Sequence, residues 1–170
     1  MTLDELNRLD DAAFIAALGG IYEHSPWVPA GILAGRPHAD TAALHGAMAA
    51  VVARAGPDAQ LALIRAHPEL AGKAMVRKTL TADSTSEQSG AGLTQCSPEE
   101  LARLTALNER YNARFGFPFV LAVKGHDRAS VIAEFARRVE SDRDTEFAEN
   151  LRQIDRIARL RLDALLARQG

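Results

Sequence analysis

A chain of 170 residues, 47% of them hydrophobic, is the size of one domain and holds enough apolar surface for a real core. Its 20 Lys and Arg against 22 Asp and Glu leave a formal net charge of -2, which gives no electrostatic reason to expect nucleic acid. No run approaches about 18 consecutive apolar residues, the start Met1-Thr2-Leu3-Asp4-Glu5 lacks signal-peptide character, and the lone Cys96 cannot form an internal disulfide, so a soluble, cytoplasmic protein without a membrane partner is expected.

Thr2-x-x-Glu5 is a capping-box pattern, and Leu3, Leu6, Ala13, Phe14, Ala17 and Leu18 follow at helical spacing up to Gly19-Gly20, so one helix is expected there. Pro26, Pro29, Gly31, Gly35 and Pro37 then make Ile21 to Pro37 a loop with at most short turns. Trp27 in that loop, the only tryptophan, reads either as an apolar anchor or as a pocket wall. Asp40 can cap a second helix with Leu44, Met48, Val51 and Val52 on one face, ending near Gly56-Pro57. A short third helix carries Leu61, Leu63 and Ile64. Proline restricts the residue before it to extended conformations, so Pro68 ends this helix and leaves His67 at its exit.

Ser84-x-x-Glu87 is another capping-box pattern, followed by Gly90 and Gly92, which allow close backbone approach. Ser97-Pro98-Glu99-Glu100 is a complete helix start, with cap, first-turn proline and acidic third position. Leu101, Leu104, Asn108, Tyr111 and Phe115 recur on one side of that helix until Gly116. The apolar run Phe117 to Val123 is too short for a helix and is expected to be a buried extended segment. Its backbone groups need partners, which a polar ligand or another loop could supply.

Asp127 can cap a helix with Val131, Ile132, Phe135 and Val139. After a charged turn at Ser141 to Asp144, a final helix should run from about Thr145 to the chain end, with Phe147, Leu151, Ile154, Ala158, Leu162 and Leu165 in one stripe. Arg161 projects between Ile154 and Ile157 on that wheel. A guanidinium among apolar neighbours must be paired internally, snorkel, or line a polar cavity. The expected fold is therefore all-α, a single-domain multi-helix bundle over residues 1–170 with a short buried extended segment near 117–123.

None of His24, His38, His45, His67 and His126 forms the i, i+4 pair of a zinc helix, and a single cysteine offers no thiolate cluster. Gly90-Ala91-Gly92 lacks the third glycine of a dinucleotide fingerprint, and no serine stands on a Gly-x-Ser-x-Gly elbow. What remains is His67, Glu87 and Arg161, without a metal or organic cofactor. Such a set suits a small anion rich in N–H donors: Arg for the negative charge, Glu for amide or ureido hydrogens, His for one proton near neutral pH. Taken singly, His67 could be structural, and Glu87 could simply close its own capping box.

Together, four ordered motifs carry a resemblance. They are His67-Pro68-Glu69-Leu70-Ala71-Gly72-Lys73; Ser84-x-x-Glu87-Gln88-x-x-Ala91-Gly92-Leu93; Asn108-x-x-Tyr111-x-x-x-Phe115-Gly116-Phe117-Pro118-Phe119; and Ile157-Ala158-x-Leu160-Arg161-Leu162. With Ser25-Pro26-Trp27-Val28 they span nearly the whole chain, which resembles the OHCU decarboxylases, enzymes of urate breakdown acting on 2-oxo-4-hydroxy-4-carboxy-5-ureidoimidazoline. One departure is Arg138-Val139-Glu140-Ser141, where the family often reads Arg-Leu-x-Asn.

The resemblance implies an all-helical, cofactor-free carboxy-lyase that forms (S)-allantoin and CO2 from a small-molecule substrate, and it suggests a homodimer. It implies His67 as catalytic acid/base with Glu87 and Arg161 around the substrate. Pro68, the Ser84, Thr85, Ser86, Glu87 and Gln88 segment, and the Phe119, Val120, Leu121, Ala122 and Val123 segment would contact substrate, the last largely through backbone. A cofactor-free lyase or hydrolase on another ureide, and a non-enzymatic helical adaptor domain, are the alternative readings.

Overall fold

The computed structural model describes residues 1–72, 75 and 78–167. Lys73 of the first motif and the last three residues, to which the final helix was expected to extend, lie outside the described residues. Among the described residues every regular element is helical, and none is long and apolar enough to cross a membrane. The chain divides into two compact units, one formed by 1–66 with 154–170 and the other by 67–153.

In the first unit the expected N-terminal helix is two. α1 (Leu3–Arg8) closes the Thr2 and Glu5 capping box in both directions, and α2 (Asp11–Leu18) begins anew because Asp10 accepts from the Ala13 N–H. Apolar spacing continues in phase across the break, so it could not reveal it. A cap of this kind contributes about 1 kcal/mol, enough to restart a helix at Asp10.

The proline-rich stretch contains the one-turn α3 (Trp27–Ala30) and a 3₁₀ turn at Leu33–Gly35. Val28 and Pro29 are buried there and pin this loop to the core, with Trp27 partly exposed beside them. At Gly31 an added Cβ would come within 2.9 Å of a Val51 methyl, so glycine is what permits that approach to the next helix. α4 (Thr41–Arg54) is capped by Asp40 as expected, and α5 (Pro57–Ala66) follows. Leu6, Phe14, Leu18, Val28, Leu44, Met48, Ile64, Ala158 and Leu162 are fully buried in this unit.

The second unit opens with the His67–Gly72 turn. α6 (Ala82–Gly90) starts three residues earlier than the Ser84-x-x-Glu87 pattern suggests: Thr81 is the cap, accepting from the Ser84 N–H, which leaves Ser84 and Glu87 inside the helix. After a 3₁₀ turn at Leu93–Gln95 comes α7 (Pro98–Phe115), whose Ser97 and Glu100 form the expected capping box and whose end is Gly116 at φ +78°. α8 (Arg128–Arg138) is capped by Asp127. α9 (Arg143–Ala167) begins two residues before the expected Thr145, with Asp142 accepting from the Thr145 N–H. Its first part belongs to the second unit and the remainder to the first.

Candidate active site

His67, the residue that follows α5 in sequence, is 6% exposed. It heads a tight turn whose geometry the next residues explain. Ala71 sits at φ +51°, a left-handed conformation uncommon for a residue with a Cβ, and a Cβ on Gly72 would lie 2.7 Å from the Glu69 Cβ. Such a turn needs outside support, and three amide side chains give it. Gln88 Oε1 accepts the Ala71 N–H at 2.9 Å while its Nε2 donates to the Glu69 carbonyl at 3.3 Å. Asn108 donates to the Leu70 carbonyl at 3.0 Å, and Asn112 donates to the Glu69 carboxylate at 2.9 Å.

On α6 the five residues of the second motif separate by helical geometry. Ser84 and Gln88, four apart, are buried, with Glu87 half-buried beside them. Thr85 and Ser86 are exposed, and the Thr85 hydroxyl donates to the Thr81 carbonyl at 2.9 Å. A cavity of about 510 Å³ is lined by Met75, Lys78, Leu80, Thr85, Gln88 and Thr94.

Residues 117–123 are buried and form no regular element, as expected of the extended segment. Among the described residues, side chains of α9 meet several of their backbone groups. Asn150 Oδ1 accepts the Val120 N–H at 2.9 Å, Gln153 Oε1 accepts the Ala122 N–H at 3.0 Å, and Asn150 Nδ2 donates to the Pro118 carbonyl. Alternate residues of an extended chain point opposite ways. The N–H groups of Leu121 and Val123, out of phase with those two, donate to no acceptor among the described residues.

Beneath this segment lies a polar cluster that sequence reasoning missed. Arg138 is 1% exposed and donates to Glu146, to Asn150 and to the Val120 carbonyl, each at 2.8 Å. Tyr111 donates to Glu146 at 2.7 Å, and burial first, then that carboxylate, pushes its hydroxyl pKa up, so it remains a donor. The departure from the usual motif at Arg138 to Ser141 leaves an ordered turn, with the Ser141 N–H on the Arg138 carbonyl. Eight residues separate Arg138 from Glu146, and the pair shows in the sequence only as charges at two helix ends.

Arg161 lies in the first unit, buried on α9, where its Nη1 donates to Glu23 at 2.6 Å and to the Gly20 carbonyl at 2.9 Å. Of the readings open from sequence, internal pairing is therefore realised. Glu23 was missed, although its place two residues before Ser25-Pro26-Trp27 was a signal. His67, the Glu87 helix and the 119–123 segment share the second unit, and the Arg161 and Glu23 pair belongs to the first.

A family model described as OHCU decarboxylase matches residues 7–163. The chain belongs to the OHCU decarboxylase family. A 2-oxo-4-hydroxy-4-carboxy-5-ureidoimidazoline decarboxylase of Haloferax volcanii is 42% identical over 162 residues, covering 95% of this chain and 94% of that protein. A putative decarboxylase of the same name from Homo sapiens is 39% identical over 166 residues, covering 98% and 96%. The uric acid degradation bifunctional protein PucL of Bacillus subtilis is 41% identical over 99% of this chain, which spans only 33% of PucL.

Among solved structures, an (S)-allantoin synthase superposes with a TM-score of 0.79 at 29% identity, over 98% of this chain and 54% of that one. An OHCU decarboxylase crystallised in the presence of (S)-allantoin superposes with a TM-score of 0.70 over 94% of this chain and 99% of that one; at 19% identity it speaks for the fold. The family match runs through both units of the chain and contains all four motifs.

Proposed function

We propose that this chain is an OHCU decarboxylase in uric acid degradation, converting 2-oxo-4-hydroxy-4-carboxy-5-ureidoimidazoline to (S)-allantoin and CO2, with residues 1–170 acting as one functional domain. The observation that carries this is the family match over residues 7–163, together with relatives of that name covered over nearly their whole length.

The substrate supplies its own electron sink. Its carboxylate is on a carbon adjacent to a ring C=N, so the electron pair released with CO2 forms a carbon–carbon double bond while the imine nitrogen takes a proton. The hydroxyl-bearing alkene then becomes the ketone of allantoin when the adjacent carbon is protonated and the hydroxyl proton leaves. The protein must hold the carboxylate out of the ring plane, support developing charge, and protonate one face only.

In our reading His67 delivers that proton, Pro68 shapes its surroundings, and Glu87 accepts hydrogen bonds from ureido N–H groups. Ser84, Thr85, Ser86 and Gln88 supply further contacts from α6, and the Phe119 to Val123 segment does so largely through backbone. The Leu121 and Val123 N–H groups support this last role, being donors without a protein acceptor among the described residues. Arg161 positions the anion or supports developing charge. A cation gripping the ground-state carboxylate opposes CO2 loss, and Glu23 at 2.6 Å offsets part of the Arg161 charge. A homodimer in the cytoplasm accompanies this reading, tested by sedimentation and by cell fractionation.

A positioned acid contributes about 10²–10⁴-fold. His67→Ala should therefore lose activity on freshly generated substrate by that factor and most of the handedness of the product, followed by circular dichroism of allantoin. Full rate and full (S) excess in that variant would refute the assignment to His67. Turnover of another ureide in place of this substrate would refute the activity itself.

A further inference from the structure

Asn108 occupies an odd place for an amide. It lies on the apolar side of α7 between Leu104 and Tyr111, 4% exposed, and its Oδ1 is buried without a hydrogen-bond partner among the described residues. A buried acceptor left unpaired is costly, so the residue does not stand there for stability alone. Its other end shows what it does: Nδ2 donates to the Leu70 carbonyl, three residues beyond His67, across 38 residues of sequence. From the same helix Asn112 donates both to Glu69 Oε1 and back to the Asn108 carbonyl, and Gln88 brackets Glu69 and Ala71 from α6.

We propose that Asn108 is a positioning residue for the decarboxylation, holding the His67–Gly72 turn so that the imidazole meets one face of the carbon it protonates. This rests on the reading of His67 as proton donor. The turn cannot hold itself: Ala71 is at φ +51° and the Glu69 side chain is folded close over Gly72, so each carbonyl released from an amide lets the backbone relax toward commoner conformations. A displacement of about 1 Å at a reacting group costs roughly 10²-fold in rate. It also lets protonation from the wrong face or from solvent compete, which erodes handedness.

The test is Asn108→Leu in the full chain, which keeps the side-chain volume and removes the donor. It exchanges one unpaired buried oxygen, Oδ1, for another, the Leu70 carbonyl, so the melting temperature should move by less than about 4 °C. The expected result is kcat reduced about 10²-fold with KM within about twofold, and a clear loss of (S) excess measured with enough enzyme to outrun spontaneous decay. A purely structural residue would lower the folded fraction and leave the product's handedness intact, and that outcome overturns the proposal.

If the leucine variant does not fold, Asn108→Asp serves, because only its protonated carboxyl can donate to the Leu70 carbonyl. Its activity relative to the parent should rise as pH falls, and a parallel profile overturns the proposal. His67→Asn is measured alongside. Should it keep rate and handedness, the proton assignment falls; should it lose both while Asn108→Leu loses neither, only the positioning claim falls.

Discussion

His38 shows how much one side chain's surroundings decide. The sequence leaves it as one histidine among five, spaced seven from His45. In the folded chain it is 8% exposed, stacks with Phe14 at 6.3 Å between ring centroids, and has a buried Nε2 without a partner among the described residues. Burial, with the nearby Arg36 charge, lowers its pKa from the ordinary 6.5 despite an opposing hydrogen bond to the Ile32 backbone carbonyl. The folded state therefore binds this proton more weakly than the unfolded state does. Stability is full above about pH 6.5 and is lost as pH falls through the lowered value. His38→Phe should flatten the dependence of melting temperature on pH between about 7 and 5; an unchanged slope would show that His38 is not its source. Below that window the helix-cap carboxylates Asp127 and Asp142 take over. Backbone hydrogen bonds hold their pKa values down, so their contribution disappears as pH falls through those lowered values. Cys96 goes the other way: burial, then Glu100, raises its thiol pKa, consistent with an unreactive residue.

At the scale of elements, capping chemistry was legible wherever one residue type could play one part. Asp40, Ser97 with Glu100, and Asp127 all cap the helices expected of them. It failed at α6, where Ser84-x-x-Glu87 has the pattern but the chain starts the helix three residues earlier with Thr81 as cap, turning Ser84 and Gln88 inward. The extended segment was readable as buried, but its partners were not, because side chains of α8 and α9, later in the chain, supply them. Arg138 joins that segment to α9 through Glu146 and Asn150, with its guanidinium 4.4 Å from the Phe119 ring centroid. Removing one member of a buried pair leaves the other uncompensated, at a cost of about 3–5 kcal/mol. Arg138→Leu should therefore lose about that much in urea unfolding, along with the ordering of residues 117–123 as seen by amide exchange. A loss under 1 kcal/mol would mean that the cluster contributes no more than a surface ion pair.

For the whole molecule, the informative element is α9. Ile154, Ala158 and Leu162 are buried in the first unit, whereas Glu146 and Asn150 are buried in the second. The first unit is thus built from both ends of the chain. Truncation after Gln153 should collapse the 1–66 portion, lowering helical content by more than the deleted residues account for, and should abolish activity with the loss of Arg161. If circular dichroism shows only the deleted helix missing, the dependence of the first unit on its C-terminal strip is wrong.

The sequence by itself determined the helical class, most helix starts, the buried run before α8 and, through four ordered motifs, the family. These are encoded in residues close together in the chain, where spacing and capping follow local stereochemistry. Tertiary structure alone decided that Arg161 pairs with Glu23, that Arg138 is a buried hub, and that three amides support the turn after His67. The physical reason is that a buried polar group is satisfied by whichever partner the packed chain brings within about 3 Å, and sequence spacing carries no record of that distance.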